Sequence, residues 1–544
     1  MKSDALLKRN AILQKLASEK FQLVVIGGGI TGAGIALDAA TRGLTVALIE
    51  QHDFAYGTSS RSTKLIHGGL RYLKQLEFGL VKEVGSERAV VHRLAPHLVL
   101  PEKMLLPLKE GSSMGYWITS IGLQIYDWLA GVKQSDKRKM LSRIQTLQAE
   151  PLLKKKGIKG GALYAEYRTD DARLTLETIR TASGNGACCI NYVRAEGFIY
   201  NGGKISGVRA VDVLKGTDIN IQSGMVVNAT GPWVDLLRKS DGSLEGKRLH
   251  LTRGVHIVVD FKKLPVSQSV YFEGPDQRMI FAIPRDEKTY VGTTDTDYTG
   301  ACESVVATKA DVQYLVDAIN FCFEGTSLNL NDVESSWAGL RPLIHEDGKS
   351  ASELSRKDEI FISLSGLVSI AGGKLTGYRK MAERVVDLIS EKLDLNKSLG
   401  ACVTDRIKLN NDFTDTESFF EFHRELLSGF SMDWQRHAVN RLARTYGSGA
   451  TEILNRIKSE DQNKNQLAFL SAEVSHVIDN EMVFSLTDYY VRRTGLLYFD
   501  IQQVIATLPQ VAEIFTVQFG WTEEKCRQEI ESVKDLISQA TVFK

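Results

Sequence analysis

Gly27, Gly29 and Gly32 stand in G-x-G-x-x-G spacing, and Glu50 follows them by roughly 20 residues. Residues of these types at this distance can hold the phosphates and ribose of a dinucleotide. Gly27 suits a tight turn, Gly29 lets a pyrophosphate approach the backbone, and Gly32 allows a helix to pack closely on a strand. The N-terminus of that helix offers amides and the positive end of a dipole to the phosphates. Glu50 would accept a hydrogen bond from a ribose 2′-hydroxyl and repel a 2′-phosphate.

These residues need a βαβ unit to position them, and the surrounding chain spells one. Residues 23–26 (LVVI) are a short apolar run fit for a buried parallel strand, residues 31–42 read as the following helix, and residues 45–49 as the second strand. FAD and NAD both use this unit. A second glycine-bearing strand end, residues 225–233 (MVVNATGPW), recurs about two hundred residues later, and a third lies at residues 369–378 (SIAGGKLTGY). Each of these two alone also reads as an ordinary strand-to-loop turn. Together with the first they favour FAD, a long cofactor gripped by discontinuous pieces of chain.

Six segments carry a closer likeness: residues 57–73 (GTSSRSTKLIHGGLRYL), 166–173 (EYRTDDAR), 228–233 (NATGPW), 290–295 (YVGTTD), 339–343 (GLRPL) and 372–379 (GGKLTGYR). With them, nearly the whole chain resembles the FAD-dependent, respiratory glycerol-3-phosphate dehydrogenases of the glycine-oxidase and D-amino-acid-oxidase group. The resemblance implies an α/β fold with three parts. A Rossmann-like FAD-binding domain is expected over residues 1–95, 161–243 and 337–395, where the glycine-bearing strand ends fall. A mixed-sheet substrate domain is expected over 96–160 and 244–336, with strands at 255–260, 279–283 and 289–292, and a helical domain over 399–544. The implied reaction is oxidation of sn-glycerol 3-phosphate to dihydroxyacetone phosphate, with hydride transfer to FAD N5 and electrons passed to a membrane quinone.

That chemistry needs cations for the phosphate and a base for the hydroxyl proton. By resemblance Arg71 and Arg341 are the substrate arginines, suited to an oxyanion by their planar fork, with Tyr72 beside Arg71. An arginine taken at random is more often a surface ion pair. His256 is the candidate base, since an imidazole titrates near neutrality, although a histidine between valine and isoleucine is more often a satisfied core residue. Thr294 lies at a strand end beside it. Ser59, Ser60, Lys64, His67, Gly68, Gly69 and Leu70 match a loop that in relatives runs along the flavin. Ala229, Gly231, Gly373 and Thr376 belong to the second and third glycine segments. Lys374 would put a positive charge near flavin N1 or N5.

Composition narrows the partners. A chain of 544 residues exceeds one hydrophobic core. A net charge of +1, from 67 basic and 66 acidic residues, leaves no broad footprint for nucleic acid. Six cysteines without C-x-x-C spacing argue against zinc, iron–sulfur clusters and a disulfide scaffold, so no metal site and a cytoplasmic location are expected. No apolar stretch approaches a membrane span, and residues 1–20 read as a helix, not a signal peptide. Residues 114–129 (MGYWITSIGLQIYDWL), followed by a basic cluster at 133–139, fit either a peripheral membrane anchor or a buried helix. The family's enzymes sit on the cytoplasmic membrane face, which favours the anchor. Beyond residue 400 the pattern is helical, at 436–454 and 467–483. Residues 487–499 resemble the family's C-terminal signature; what Arg492 and Arg493 bind stays open, pairing with acids across a domain interface being one reading. The rivals are a glycerol-3-phosphate oxidase that reduces oxygen to peroxide, and a flavin-binding redox sensor or scaffold. The oligomeric state, homodimer included, stays open.

Overall fold

The computed structural model describes residues 4–67, 78–110, 138–345, 358–395, 399–409, 412–457 and 465–543. Its first sheet is built around the glycine motif. The order is Asp358–Ile362, Val368–Gly372, Thr217–Asn228, Lys20–Ile26, Val46–Ile49, Cys188–Ile190. All neighbours from Val368–Gly372 to Cys188–Ile190 are parallel, with Ile26 opposite both Asn228 and Ile49. The Val193–Asn201 and Lys204–Asp212 hairpin extends the Thr217–Asn228 strand.

A strand sends alternate side chains to opposite faces, and here both faces are covered, which is why residues 23–26 are continuously apolar. Leu23 and Val25 pack beneath the helices Ile30–Thr41, Asp171–Gly184 and Tyr378–Lys392. Val24 and Ile26 face Leu16 of the Asp4–Ser18 helix, with Val208 and Ile221.

Among the described residues the second sheet has ten strands, eight of them in the order Thr296–Asp297, Leu249–Asp260, Lys288–Gly292, Met279–Arg285, Ser269–Glu273, Leu100–Lys109, Ile158–Arg168, Leu65–Ile66. Val333–Ile344 pairs with Leu249–Asp260, and Lys139–Ser142 with Ile158–Arg168. It is mixed, since Ser269–Glu273 runs parallel to Leu100–Lys109 among antiparallel neighbours. Val255, Ile257 and Val259 point to the Lys309–Cys322 helix through Leu315 and Ile319. Their alternates, Thr252, Gly254 and His256, therefore face the other way, toward the first sheet's loops. Leu65–Ile66, Ile158–Arg168 and Val333–Ile344 belong to this sheet, although most of their residues fall in the ranges expected for the nucleotide domain. Long antiparallel pairing carries them across.

The C-terminal part is helical from Thr416–Ser428 to Glu523–Thr541. The apolar rhythm at 436–454 becomes two helices, Asp433–Tyr446 and Gly449–Asn455. Gly447 breaks them with a φ of +56°, a conformation glycine adopts without penalty. The His97 ring lies 3.0 Å from where a Cβ would stand. No helix among the described residues is long and apolar enough to cross a membrane.

Candidate active site

The three glycine segments meet at one edge of the first sheet, because parallel strands end on the same side. Gly27 has a φ of +114°, and a Cβ there would lie 2.6 Å from the Ala229 carbonyl oxygen at the end of the neighbouring strand. A Cβ on Gly32 would collide with the Gly27 carbonyl oxygen, so the helix can approach the turn only without a side chain. Ser59 Oγ accepts a hydrogen bond from the Ile30 amide at 2.9 Å, tying the 57–60 loop to that helix's first turn.

Glu50 stands where the second strand ends. Its Oε2 accepts from the Gly28 amide at 2.7 Å and its Oε1 from the His52 amide at 2.9 Å. Burial pushes its carboxyl above the ordinary value against those two bonds. Each oxygen keeps a lone pair for a further donor such as a ribose hydroxyl.

A cavity of about 440 Å³ opens at these strand ends, within the range of cofactor sites. Gly27, Gly29, Glu50, Ser59, Ala229, Gly231, Gly373 and Lys374 line it. Glu50 and Gly372, both lining residues, are separated by three inter-strand spacings, about 14 Å. A long dinucleotide fits such a cradle, and placement at the carboxyl ends of parallel strands is where α/β sheets bind ligands.

Other expected cofactor residues sit behind this wall. Ser60 and Lys64 turn inward: Lys64 Nζ donates to Ser60 O at 3.2 Å and to Asp171 Oδ1 at 2.5 Å. Asp171 lines the cavity and also accepts from the Ser62 amide at 2.9 Å. Thr376 Oγ1 accepts from the His67 amide and donates to the His67 carbonyl, both at 3.1 Å. Gly68, Gly69, Leu70, Arg71 and Tyr72, and the aromatic segment 114–129, lie outside the described residues.

Facing the cavity loop is one surface of the second sheet. His256 is paired across from Trp337 and from Gly292, and Arg341 from Thr252. The His256 ring stacks on Trp337 at 4.8 Å with a 10° interplanar angle. Its Nε2 lies 3.0 Å from Thr63 Oγ1, and its Nδ1 has no hydrogen-bond partner among the described residues. Burial first, then the positive charges of Arg341 and Lys64, hold the imidazole well below its ordinary pKa. It is therefore neutral around pH 7.

Arg341 Nη2 donates to Thr293 Oγ1 at 2.8 Å, and Nη1 to the Thr294 carbonyl at 3.2 Å. Thr294 thus steadies the arginine, while its own hydroxyl accepts from the Val255 amide at 3.0 Å. A Cβ on Gly254 would collide with the Arg341 guanidinium, and one on Gly292 with the His256 ring. The loop is stitched to this face: Thr58 Oγ1 donates to Leu340 O at 2.7 Å, Trp337 Nε1 to Ser62 O at 3.1 Å, and Tyr290 OH to Thr63 O at 3.2 Å. Since Thr58, Ser62 and Pro342 all line the cavity, His256 and Arg341 sit one residue behind its wall.

Asp171, Trp337, Gly254 and Gly292 escaped sequence reasoning, and Thr293 was legible only as part of the strand end that also holds Thr294 and Asp295. An isolated glycine inside a strand pattern signals close approach, and that signal was present at Gly254 and Gly292. Nothing in sequence says which side chain arrives.

The fold and site define a dinucleotide-dependent enzyme, and residues 22–379 match the family described as FAD dependent oxidoreductase. Residues 402–526 match the C-terminal domain of alpha-glycerophosphate oxidase. The aerobic glycerol-3-phosphate dehydrogenase of Bacillus subtilis is 47% identical over 543 residues, covering 98% of each chain. The crystal structure of a glycerol-3-phosphate dehydrogenase from Bacillus halodurans complexed with FAD superposes with a TM-score of 0.84 at 42% identity, covering 100% of both chains. Glycine oxidase from Bacillus cereus, 19% identical with a TM-score of 0.51 over 68% of this chain and 98% of that one, shares the fold. The chain belongs to the aerobic glycerol-3-phosphate dehydrogenase family of FAD-dependent oxidoreductases, and FAD is its cofactor.

Proposed function

We propose that this enzyme oxidises sn-glycerol 3-phosphate to dihydroxyacetone phosphate, with a quinone as final electron acceptor and peripheral contact with the cytoplasmic membrane face. The observation that supports the reading is that buried His256 and Arg341 share a sheet face stitched to the cofactor loop. Bound FAD supplies N5 as hydride acceptor. Arg341, with Arg71 and Tyr72, binds the phosphate and orients the C2 hydroxyl. His256, whose Nε2 lies beside Thr63 Oγ1, takes the hydroxyl proton. Lys374 places its charge beside the flavin end of the cavity. Asp171 pairs with the Lys64 ammonium, while burial and the positive charges of Arg341 and Lys64 keep His256 uncharged at working pH. The substrate half comprises the second sheet, including Ile158–Arg168 and Val333–Ile344, and the cofactor half the first.

The test is anaerobic mixing of the flavoprotein with glycerol 3-phosphate, followed through the oxidised-flavin band near roughly 450 nm, then addition of a quinone analogue or of oxygen. Bleaching reversed mainly by quinone is expected. Fast reversal by oxygen with peroxide would make it an oxidase, and absence of bleaching would overturn the substrate.

A further inference from the structure

Asp53 follows Glu50 by three residues, inside a stretch whose Glu50, His52 and Tyr56 line the cavity. It is completely buried. Its carboxylate accepts four hydrogen bonds: Oδ1 from Asn191 Nδ2 and Arg493 Nη2, each at 2.9 Å, and Oδ2 from Arg492 Nε at 2.5 Å and Arg493 Nη1 at 2.7 Å. Both arginines stand in the Asp488–Arg493 turn of the C-terminal helices, 439 and 440 residues away along the chain. Arg492 also donates to Asp488 at 2.6 Å, and its guanidinium lies 5.6 Å from the centre of the Tyr56 ring, which stacks on His52 at 4.0 Å. Arg493 donates to the Glu481 carbonyl at 2.7 Å. Disturbing one partner of a buried, hydrogen-bonded ion pair is strongly destabilising, and here the partners belong to segments far apart in the chain.

We propose that Arg492 and Arg493 are positioning residues for the cofactor. Acting through Asp53, they hold residues 50–56 in the shape that grips FAD, and so couple docking of the C-terminal helices to cofactor retention. Coupling between two sites is reciprocal. Bound FAD must therefore also steady the 488–493 turn. The Arg441–Glu473 pair supplies the comparison: it is a bidentate ion pair at 2.7 and 2.6 Å, inside the C-terminal helices, whose carboxylate among the described residues also accepts from Tyr446 and Tyr489.

The experiment is equilibrium dialysis of the full-length protein against graded FAD, with bound flavin read from its absorbance. Arg493→Lys and Asp53→Asn are each expected to weaken FAD binding by about tenfold or more, the size of one coupling between buried partners. The double variant should be no weaker than the worse single one. Arg441→Lys should lower thermal stability and leave FAD affinity at the wild-type value. Hydrogen exchange at amides 488–493 should be slower with FAD than without it, a difference that Arg493→Lys abolishes. Wild-type FAD affinity in a folded Arg493→Lys protein, additive losses in the double variant, or equal weakening by Arg441→Lys would each overturn the proposal. If Asp53→Asn does not fold, the contrast between Arg493→Lys and Arg441→Lys decides alone.

Discussion

Gly254 and Gly292 carry no side chain because the Arg341 guanidinium and the His256 ring fill the space above them. The obstruction at Gly254 is the far end of a long, flexible side chain, so an added methyl displaces the arginine instead of the strand. Gly254→Ala is therefore expected to fold, to keep its FAD, and to raise KM for glycerol 3-phosphate by about 10–100-fold, the worth of a hydrogen bond to a charged group. Steady-state kinetics with flavin content measured in parallel check it. His256 makes the complementary case. His256→Ala should lower kcat by about 100-fold or more, as loss of a general base does, while KM moves little. An unchanged kcat would move the base role to another residue. Both residue types were visible in sequence, yet their proximity was not, because it arises from cross-strand register between Leu249–Asp260 and Val333–Ile344.

Elements set how close these groups can come. The turn at Gly27, the helix Ile30–Thr41 and the end of the Thr217–Asn228 strand interlock through backbone atoms, and backbone cannot yield as an arginine tip can. Gly32→Ala should accordingly push the helix from the strand, cost about 1–3 kcal/mol as overpacking does, and release FAD. Urea unfolding and retained flavin measure both effects. This unit was legible almost residue by residue, since the period-2 apolar run, the glycine spacing and Glu50 are all local signals. The second sheet was legible only as scattered strands. Local hairpins such as Met279–Arg285 with Lys288–Gly292 are joined there to strands as far apart as Leu249–Asp260 and Val333–Ile344, and pairing across such distances leaves no local trace.

Across the whole molecule, buried titratable groups join parts of the chain that lie far apart. His97 follows the helix Phe78–Leu94 and sits against Gly447 and Phe419 of the C-terminal part. Burial first, then the positive charges of Arg173 and Arg180, lowers its pKa to about 3. The unfolded chain binds this proton below about pH 6.5, and the folded one does not until near pH 3. Its contribution to stability is therefore full above pH 6.5 and falls as pH drops, by about 1.4 kcal/mol per pH unit. His97→Gln should remove that increment from the slope of stability between pH 6.5 and 5. Denaturant titrations of both proteins across this range measure the difference, and parallel slopes would mean that the ring is protonated in place.

Sequence by itself determined the glycine-bearing βαβ unit and the helical character of the C-terminal part, because glycine spacing, strand alternation and helical periodicity are written within a few turns of chain; the reaction family came only through the resemblance carried by six longer segments. Tertiary structure alone decided that Lys64 neutralises Asp171, that Thr294 steadies Arg341, and that Arg492 and Arg493 close on Asp53 beside the cofactor wall. Each of these is an ion pair or hydrogen bond between residues brought together by burial. A buried charge must find a partner, but which partner it finds is set by packing, not by neighbourhood in the chain.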